Sequence, residues 1–232
     1  MSVFKFKQFE VRQSRSAMKI GTDAMILGSL INAGECRKGL DIGSGTGVLA
    51  LMVAQKNPGI EIDAVEIDLP SFEECGDNFS RSKWSDRLRA VHSDILDFRS
   101  EEKYDVIFSN PPYYQNGLLS DDERRSRARH NEYMPLEQLS EAVNDLLTDN
   151  GSFMVILPKE NESEWMDALK KLSLRGKIDI HGKRGGKINR VILEFRREST
   201  KVITTSLVVR EIDGSYTETY KKLTIDYHAN SI

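Results

Sequence analysis

A predicted strand that runs directly into a glycine-rich turn and then a helix restricts this chain to few folds. Residues 38–42 are largely apolar, and residues 46–56 have the apolar periodicity of a helix. Between them stand Gly43, Gly45 and Gly47, spaced Gly-x-Gly-x-Gly. Glycines at such a turn let the backbone reverse sharply and let a ligand approach it closely. The segment therefore predicts the first strand, turn and helix of a ligand-binding α/β sheet.

Strand and helix patterns alternate along the rest of the chain. Further strands are predicted at residues 60–67, 88–92, 104–109, 152–157, 177–181 and 190–195, with a β-like segment at 202–211. Helices are predicted at residues 24–31, 71–83, 136–147, 162–172 and 218–227. We expect Thr22 or Asp23 to cap the helix at 24–31. Continuous apolar runs such as residues 106–108 are typical of strands buried on both faces. This alternation predicts an α/β fold, a mostly parallel sheet with helices on both faces.

Acidic residues follow or end the first three strands of this predicted sheet. Glu66 comes about 20 residues after the glycine turn, where an acid can bind ribose hydroxyls. Asp41 precedes the first glycine and would repel a pyrophosphate, but it suits the ammonium group of a methionine moiety. Val48 also stands where a dinucleotide-binding turn has its third glycine. Asp94 could bind an adenine amino group, with a role as a turn or cap residue left open. A tight turn without a ligand is the alternative that Asp41 and Glu66 together disfavour.

A stiff polar loop, Asn110-Pro111-Pro112-Tyr113, follows the fourth strand. A conjugated amino nitrogen is a poor nucleophile because its lone pair is delocalised. Two acceptors on its N–H groups, the side-chain oxygen of Asn110 and the carbonyl of Pro111, would turn the lone pair towards a methyl donor. The prolines hold this backbone fixed, and Tyr113 can stack on a planar base. A rigid turn with a buried tyrosine is the alternative.

The glycine turn together with the Asn110–Tyr113 loop resembles the Rossmann-like class I amino-methyltransferases. The resemblance implies a seven-stranded sheet with an antiparallel last strand, and S-adenosylmethionine as the cofactor. Phe9, Met18, Lys19, residues 21–23 and residues 187–195 resemble the bacterial enzymes that methylate the adenine N6 amino group beside the anticodon of a valine tRNA. The resemblance implies four catalytic residues: Asn110, Pro111, Pro112 and Tyr113. The expected cofactor-binding residues are Lys19, Thr22, Asp41, Gly43, Gly45, Gly47, Glu66, Asp94 and Asn110.

Basic residues are concentrated in two regions of a chain whose net charge is -3. Residues 170–201 contain eleven Lys and Arg residues against three acidic ones, several of them around Gly185-Gly186. A second basic run lies between residues 112 and 136, in a long segment that follows the catalytic loop. We expect both regions to contact tRNA phosphates, although each could instead be a solvated surface. The expected RNA-binding residues are Arg124, Arg125, Arg129, Lys183, Arg184, Lys187 and Arg190.

Three other classes of protein share part of this pattern. A protein glutamine N5-methyltransferase uses the same Asn-Pro-Pro-Tyr loop but usually has a helical domain before the glycine turn, where only about forty residues stand here. A DNA adenine methyltransferase would need a separate recognition domain. A non-catalytic subunit that binds S-adenosylmethionine would not need the intact catalytic loop. The tRNA-directed enzyme is therefore the preferred interpretation.

The length of 232 residues predicts a single domain, 1–232. We expect an N-terminal extension and helix at 1–37, a catalytic core at 38–200 and a C-terminal extension at 201–232. No apolar run reaches the roughly 20 residues of a membrane span, and residues 1–10 have no signal-peptide core. We therefore expect a cytoplasmic protein without a membrane partner. Because the sequence has no clear self-association stripe, we expect a monomer. Cys36 and Cys75 lack metal-ligand spacing, so we expect no metal site.

Overall fold

An eight-stranded sheet and a separate two-stranded hairpin form the β-structure of the computed structural model, which describes residues 2–16, 18–111, 135–199 and 201–229. The strands are β1 (Val3–Lys5), β2 (Glu10–Arg12), β3 (Lys38–Ile42), β4 (Glu61–Glu66), β5 (Leu88–His92), β6 (Tyr104–Ser109), β7 (Leu147–Pro158), β8 (Ser173–Lys183), β9 (Ile188–Arg196) and β10 (Ile203–Arg210). The helices are α1 (Thr22–Leu30), α2 (Val48–Lys56), α3 (Leu69–Ser80), α4 (Leu136–Leu146), α5 (Glu162–Ala168) and α6 (Glu218–Thr224).

The large sheet has the strand order β10-β8-β9-β7-β6-β3-β4-β5. All its strands are parallel except β9, which is antiparallel to both β7 and β8. The predicted mostly parallel α/β sheet is confirmed, but it has eight strands where seven were expected. The additional strand is β10, which pairs with β8 from Ile203 to Arg210 at the edge of the sheet. The first four residues of β10 are exposed, and this segment therefore does not need the continuous apolar pattern of a core strand.

Side chains of the central strands pack alternately on the two faces of the sheet. Val106 and Phe108 belong to the apolar core that includes α1 and α2, whereas Ile107 belongs to the core that includes α4 and α5. All three are completely buried, as predicted for this run. Burial of a side chain of this size stabilises the fold by about 1.5–3 kcal/mol. The sheet is thus a rigid support for the loops at its ends.

Segments from the two ends of the chain meet on the α1–α2 face. Phe6 forms an isolated β-bridge with His228, and the backbone N–H of Lys7 donates to the carbonyl of Tyr227 at 2.9 Å. The Tyr227 hydroxyl donates to the carbonyl of Met52, in α2, at 3.1 Å. The N-terminal hairpin and the end of the C-terminal extension are therefore joined to the core through α2.

Three helices begin two residues away from the positions that the sequence predicts, among them α3, which begins at Leu69 and not at residue 71. Helix α1 begins at Thr22 with Gly21 at its N-cap, and no side chain caps it, so the prediction that Thr22 or Asp23 caps this helix is wrong. Asp23 instead accepts a hydrogen bond from Arg190 Nε at 2.8 Å. Helix α2 begins at Val48 because Gly47, with φ of 76°, has a left-handed conformation outside the helix. None of the helices in the described parts of the chain is long and apolar enough to cross a membrane.

Candidate active site

Four of the predicted site residues lie together at the carboxyl edge of the parallel strands. Ile42, the last residue of β3, is in register with Ser109 of β6 and with Val65 of β4, and Glu66 is in register with His92 of β5. The residues at or just beyond these strand ends are Asp41, Glu66, Asp94 and Asn110. Open α/β sheets bind ligands in a crevice at this edge.

The glycine turn follows β3 at this edge of the sheet. All three glycines have positive φ, 68° at Gly43, 54° at Gly45 and 76° at Gly47, which other residues rarely adopt. A Cβ atom on Gly43 would meet no atom within 4 Å, so the space beside this backbone is open to a ligand. A Cβ on Gly47 would instead lie 2.5 Å from Phe79 Cε1. Gly43 therefore suits ligand binding, whereas a Cβ on Gly45 would lie 3.6 Å from Ser16 Oγ. Gly47, also expected to bind the cofactor, is required by the packing of α3.

Glu66 connects the glycine turn to the end of β4. Its side chain is buried, with Oε2 accepting from the backbone N–H of Gly45 at 2.7 Å and Oε1 accepting from that of Asp68 at 2.9 Å. Each carboxylate oxygen has a second lone pair that can accept a further hydrogen bond. Glu66 can therefore shape the turn and bind a ligand hydroxyl at the same time.

Asp41 is a buried carboxyl group with one oxygen unused by the protein. Its side chain is 1% exposed, and Oδ2 accepts from the backbone N–H of Ala50 at 3.3 Å. Oδ1 has no hydrogen-bond partner among the described residues. Burial, and secondarily the charge of Glu66, raises the pKa of Asp41 to about 8. A cationic group placed against Oδ1 would stabilise the ionised form.

Asp94 has the turn role that the sequence left open. Its Oδ1 accepts from the backbone N–H of Leu96 at 2.9 Å, and its carbonyl accepts from the N–H of Asp97 at 3.1 Å. Its side chain is half-buried beyond the end of β5. A turn role for Oδ1 leaves Oδ2 as the oxygen to consider for an adenine amino group.

Exposed apolar side chains beside Glu66 were missed by the sequence analysis. Ile67 and Leu69 are 53% and 48% exposed. His92 Nε2 lies 3.0 Å from the carbonyl of Ile67, and its ring stacks on Phe72 with 5.2 Å between centroids. An apolar residue directly after Glu66, the acid expected to bind ribose, is the pattern that indicates this surface. Ile67 and Leu69 offer an apolar contact for a flat heterocycle.

Asn110 follows β6 at the same strand edge as the glycine turn, and it also lines a cavity. The preceding Ser109 is buried, and its Oγ donates to the carbonyl of Ile42 at 2.8 Å, which fixes the chain that leads into the loop. Asn110 is half-buried and Pro111 is buried, while Pro112 and Tyr113 lie outside the described residues. The cavity beside Asn110, here called the strand-edge cavity, has a volume of about 380 Å³. Its lining includes Lys19 and Thr22 from the N-terminal side and Asn189, Arg190 and Arg210 from the strands.

Helix α3 holds the N-terminal segment 13–20 against the glycine turn, an arrangement the sequence analysis missed. The carboxylate of Glu74 accepts from the backbone N–H groups of Ser14, Arg15 and Ser16 at 2.6–3.1 Å. Burial alone would raise the pKa of Glu74, but these donors and the nearby Lys19 hold it below its ordinary value. Two polar residues four positions apart on α3 are the pattern that indicates this contact.

The second of these α3 residues is Asn78. Its Nδ2 donates to the carbonyl of Arg12 and to that of Thr46, in the glycine turn, both at 2.9 Å. On the N-terminal segment itself, Lys19 Nζ donates to the carbonyls of Gln13 and Ser16. Lys19 is thereby positioned by the segment that α3 holds.

The basic residues around Gly185-Gly186 form the tip of the β8–β9 hairpin, at the same edge of the sheet as Asn110. The hairpin tip, residues 183–187, closes with the N–H of Gly186 donating to the carbonyl of Lys183 at 2.9 Å. Arg184 is paired with Glu211 at 2.5 and 2.8 Å, and Arg190 is paired with Asp23. Because carboxylates already pair with both side chains, Arg184 and Arg190 offer less positive charge to an RNA phosphate than the sequence alone indicates. Arg124, Arg125 and Arg129 lie outside the described residues.

In the described parts of the chain, no cluster of His, Cys, Asp and Glu side chains has the arrangement of a metal site. Cys75 is buried and Cys36 half-buried, each as a free thiol. Burial raises the pKa of Cys75, which is consistent with its expected role as a small packing group.

Comparison with known proteins identifies similar sequences over nearly the whole chain. Residues 12–172 match the family described as the methyltransferase small domain. A tRNA1(Val) (adenine(37)-N6)-methyltransferase of Bacteroides thetaiotaomicron is 37% identical, over 97% of this chain and 96% of that protein. The protein of the same name from Flavobacterium johnsoniae is 39% identical, over 97% and 99%. That of Vibrio campbellii is 34% identical, over 97% and 95%.

Solved structures with a similar fold are methyltransferases of other kinds. A predicted O-methyltransferase from Agrobacterium tumefaciens superposes with a TM-score of 0.69 at 18% identity, over 90% of this chain and 98% of that chain. The CcbJ methyltransferase from Streptomyces caelestis gives a TM-score of 0.56 at 14% identity, over 76% and 96%. At these identities the likeness establishes the fold alone.

Proposed function

This chain belongs to the methyltransferase small domain family, and from that premise we propose that it methylates the N6 amino group of an adenine in tRNA, with S-adenosylmethionine as donor. The relatives that match nearly the full chain are named for adenine 37 of a valine tRNA, which makes that nucleotide the first candidate. The observation that carries the proposal is the position of Asn110 beside both the glycine crevice and the strand-edge cavity.

The crevice fits the proposed cofactor in three respects. The open backbone at Gly43 admits a ligand, Glu66 has lone pairs for ribose hydroxyls, and the buried Oδ1 of Asp41 would accept from an ammonium group. Asp94 and the apolar surface of Ile67 would hold the adenine end. Lys19 and Thr22 complete the proposed cofactor set at the methionine end. S-adenosylmethionine supplies an electrophilic methyl group when bound.

Asn110 and Pro111 are proposed to act on the target nitrogen. The Asn110 side-chain oxygen and the Pro111 carbonyl would accept from the two N–H groups of the adenine amine and turn its lone pair towards the methyl group. These hydrogen bonds strengthen as positive charge develops on the nitrogen, so they stabilise the transition state more than bound substrate. The proposed role of Tyr113 is to stack on the target base.

Labelled S-adenosylmethionine tests this function against its alternatives. The purified chain is mixed with the labelled donor and, separately, total tRNA, DNA or an extract that contains release factors. Label in tRNA alone is the expected result, and an Asn110→Ala variant should lose the transfer while it still binds the donor. Label in the release-factor extract would instead favour protein glutamine methylation. Label in none of the three would favour a non-catalytic subunit.

A further inference from the structure

The strand wall of the strand-edge cavity is built by parts of the chain that the cofactor crevice does not use. It consists of the end of β8, the start of β9 and the end of β10, so it includes the C-terminal extension. The backbone N–H of Arg184 donates to the carbonyl of Arg210 at 2.8 Å, which joins β10 to the hairpin tip. A volume of about 380 Å³ lies within the range of roughly 300–1,000 Å³ that small-ligand sites occupy.

Arg210 lines this wall, and its charged side chain is held in place by the residues that follow β10. Its guanidinium donates to the carbonyl of Gly214 at 2.7 Å and to the hydroxyl of Tyr216 at 3.0 Å. It also lies over the Tyr216 ring, 4.1 Å from the centroid, and that ring stacks on Tyr220 at 4.7 Å. Its hydrogen bonds within the described residues go to neutral oxygens, so its charge is not cancelled by a carboxylate. An arginine held in this way is preorganised to bind a phosphate.

Asn189 adds a group that can recognise a base. It is exposed on β9, and its amide lies over Gly182, where a Cβ would be 3.1 Å from Asn189 Nδ2. An amide both donates and accepts, which suits the polar edge of a nucleobase. The absence of a side chain at Gly182 leaves room for it. Arg210 and Asn189, residues of types that suit a phosphate and a base edge, thus line the same cavity as Asn110.

We propose that the strand-edge cavity is a nucleotide subsite, which holds the RNA nucleotide next to the methylated adenine through Arg210 and Asn189. This inference rests on the proposed tRNA methylation and adds to it an RNA-recognition role for the C-terminal strand β10. Asn110 lines this cavity and follows β6 directly beside β3, so a nucleotide bound here would be a chain neighbour of the base presented to Asn110 for methyl transfer. The hairpin tip, residues 183–187, would then contact the RNA backbone beyond this nucleotide.

The test compares Arg210→Ala, Arg210→Lys and Asn189→Ala with Arg175→Ala as the matched control. Arg175 stands at the opposite end of β8 and, like Arg210, donates to a backbone carbonyl, that of Lys201 at 3.2 Å. Binding of a valine tRNA transcript is measured across a salt series in the presence of S-adenosylhomocysteine, and donor affinity is measured separately. Thermal melting establishes that each variant is folded.

Arg210→Ala should weaken tRNA binding about tenfold and flatten the log-log salt dependence by roughly 0.7–0.9, the value for one phosphate contact. Arg210→Lys should retain the slope of the salt dependence. Asn189→Ala should weaken tRNA binding without changing that slope. Donor affinity should stay the same in all three variants, and Arg175→Ala should match the wild type.

Unchanged tRNA affinity and slope in Arg210→Ala would overturn the subsite, as would a loss of donor affinity with tRNA binding intact. A wild-type chain that binds tRNA through Arg210 but methylates none would contradict the proposed function and leave the subsite supported.

Discussion

Asp41 is the residue whose ionisation should respond most to the cofactor. Burial raises the pKa of this carboxyl group from 3.8 to about 8. Because the folded state binds this proton more tightly than the unfolded chain, stability falls as pH rises through that window, by up to about 1.4 kcal/mol per pH unit. The isosteric Asp41→Asn variant should lack this dependence, as thermal unfolding from pH 5 to 8 would reveal.

Cofactor binding should show the opposite trend with pH. An ammonium group beside Asp41 Oδ1 favours the ionised carboxylate, so below pH 8 Asp41 should release its proton when the donor binds. Wild-type donor affinity should therefore increase as pH rises towards 8. Calorimetry in buffers of different ionisation heats would detect the proton release. Equal donor affinity in Asp41→Asn at every pH would remove Asp41 from the cofactor site.

Glu66 is the residue proposed to bind the ribose hydroxyls of the cofactor. Glu66→Gln would place an amide N–H against one of two backbone donors and remove the charge that holds a ribose hydroxyl, at a cost of about 1.5–3 kcal/mol in binding. Donor affinity by calorimetry should fall by one to two orders of magnitude, in line with that free energy. Glu61→Gln, at the exposed start of the same strand, is the control and should bind normally.

The contact of Glu74, in helix α3, with the N-terminal segment 13–20 is expected to affect donor binding. Glu74→Gln replaces an acceptor of three backbone N–H bonds with a weaker one, so the segment should loosen and donor affinity should fall about tenfold, because a bond to a charged group contributes roughly 1.5–3 kcal/mol. Hydrogen exchange at Ser14–Ser16 should accelerate. Glu73→Gln, which alters only an exposed contact with Arg15, is the control. Faster exchange with unchanged donor affinity would make the segment purely structural.

The hairpin tip should contact RNA through its lysines. Lys183→Ala with Lys187→Ala should weaken tRNA binding and flatten the salt dependence by roughly 1.4–1.8, for two phosphate contacts. Adding Arg184→Ala should change the slope little further because Glu211 already pairs with that side chain. Lys170→Ala with Lys171→Ala, just before the other end of β8, is the control for charge. A control pair with the same effect would show that only net charge matters.

Across the whole molecule, local patterns were enough to predict the parallel sheet and the crevice. Apolar runs gave the central strands, and the order of strand ends placed Asp41, Glu66 and Asn110 at one edge because parallel strands share their carboxyl ends. Contacts between distant segments were not predictable in the same way. The pairing of β10 with β8, the Glu74 contact with residues 14–16 and the Asp23–Arg190 pair depend on tertiary packing that no local pattern specifies.

Nucleoside analysis of a methylated valine tRNA tests the proposed reaction most directly. The chain is incubated with S-adenosylmethionine and either the unmodified transcript or one with guanosine in place of adenine 37, the nucleotide in the names of its relatives. We predict N6-methyladenosine from the first transcript with the wild-type chain, and none from the second transcript or from Asn110→Ala. N6-methyladenosine formed at the wild-type rate by Asn110→Ala, or no methylated adenosine from the wild-type chain, would contradict the proposal.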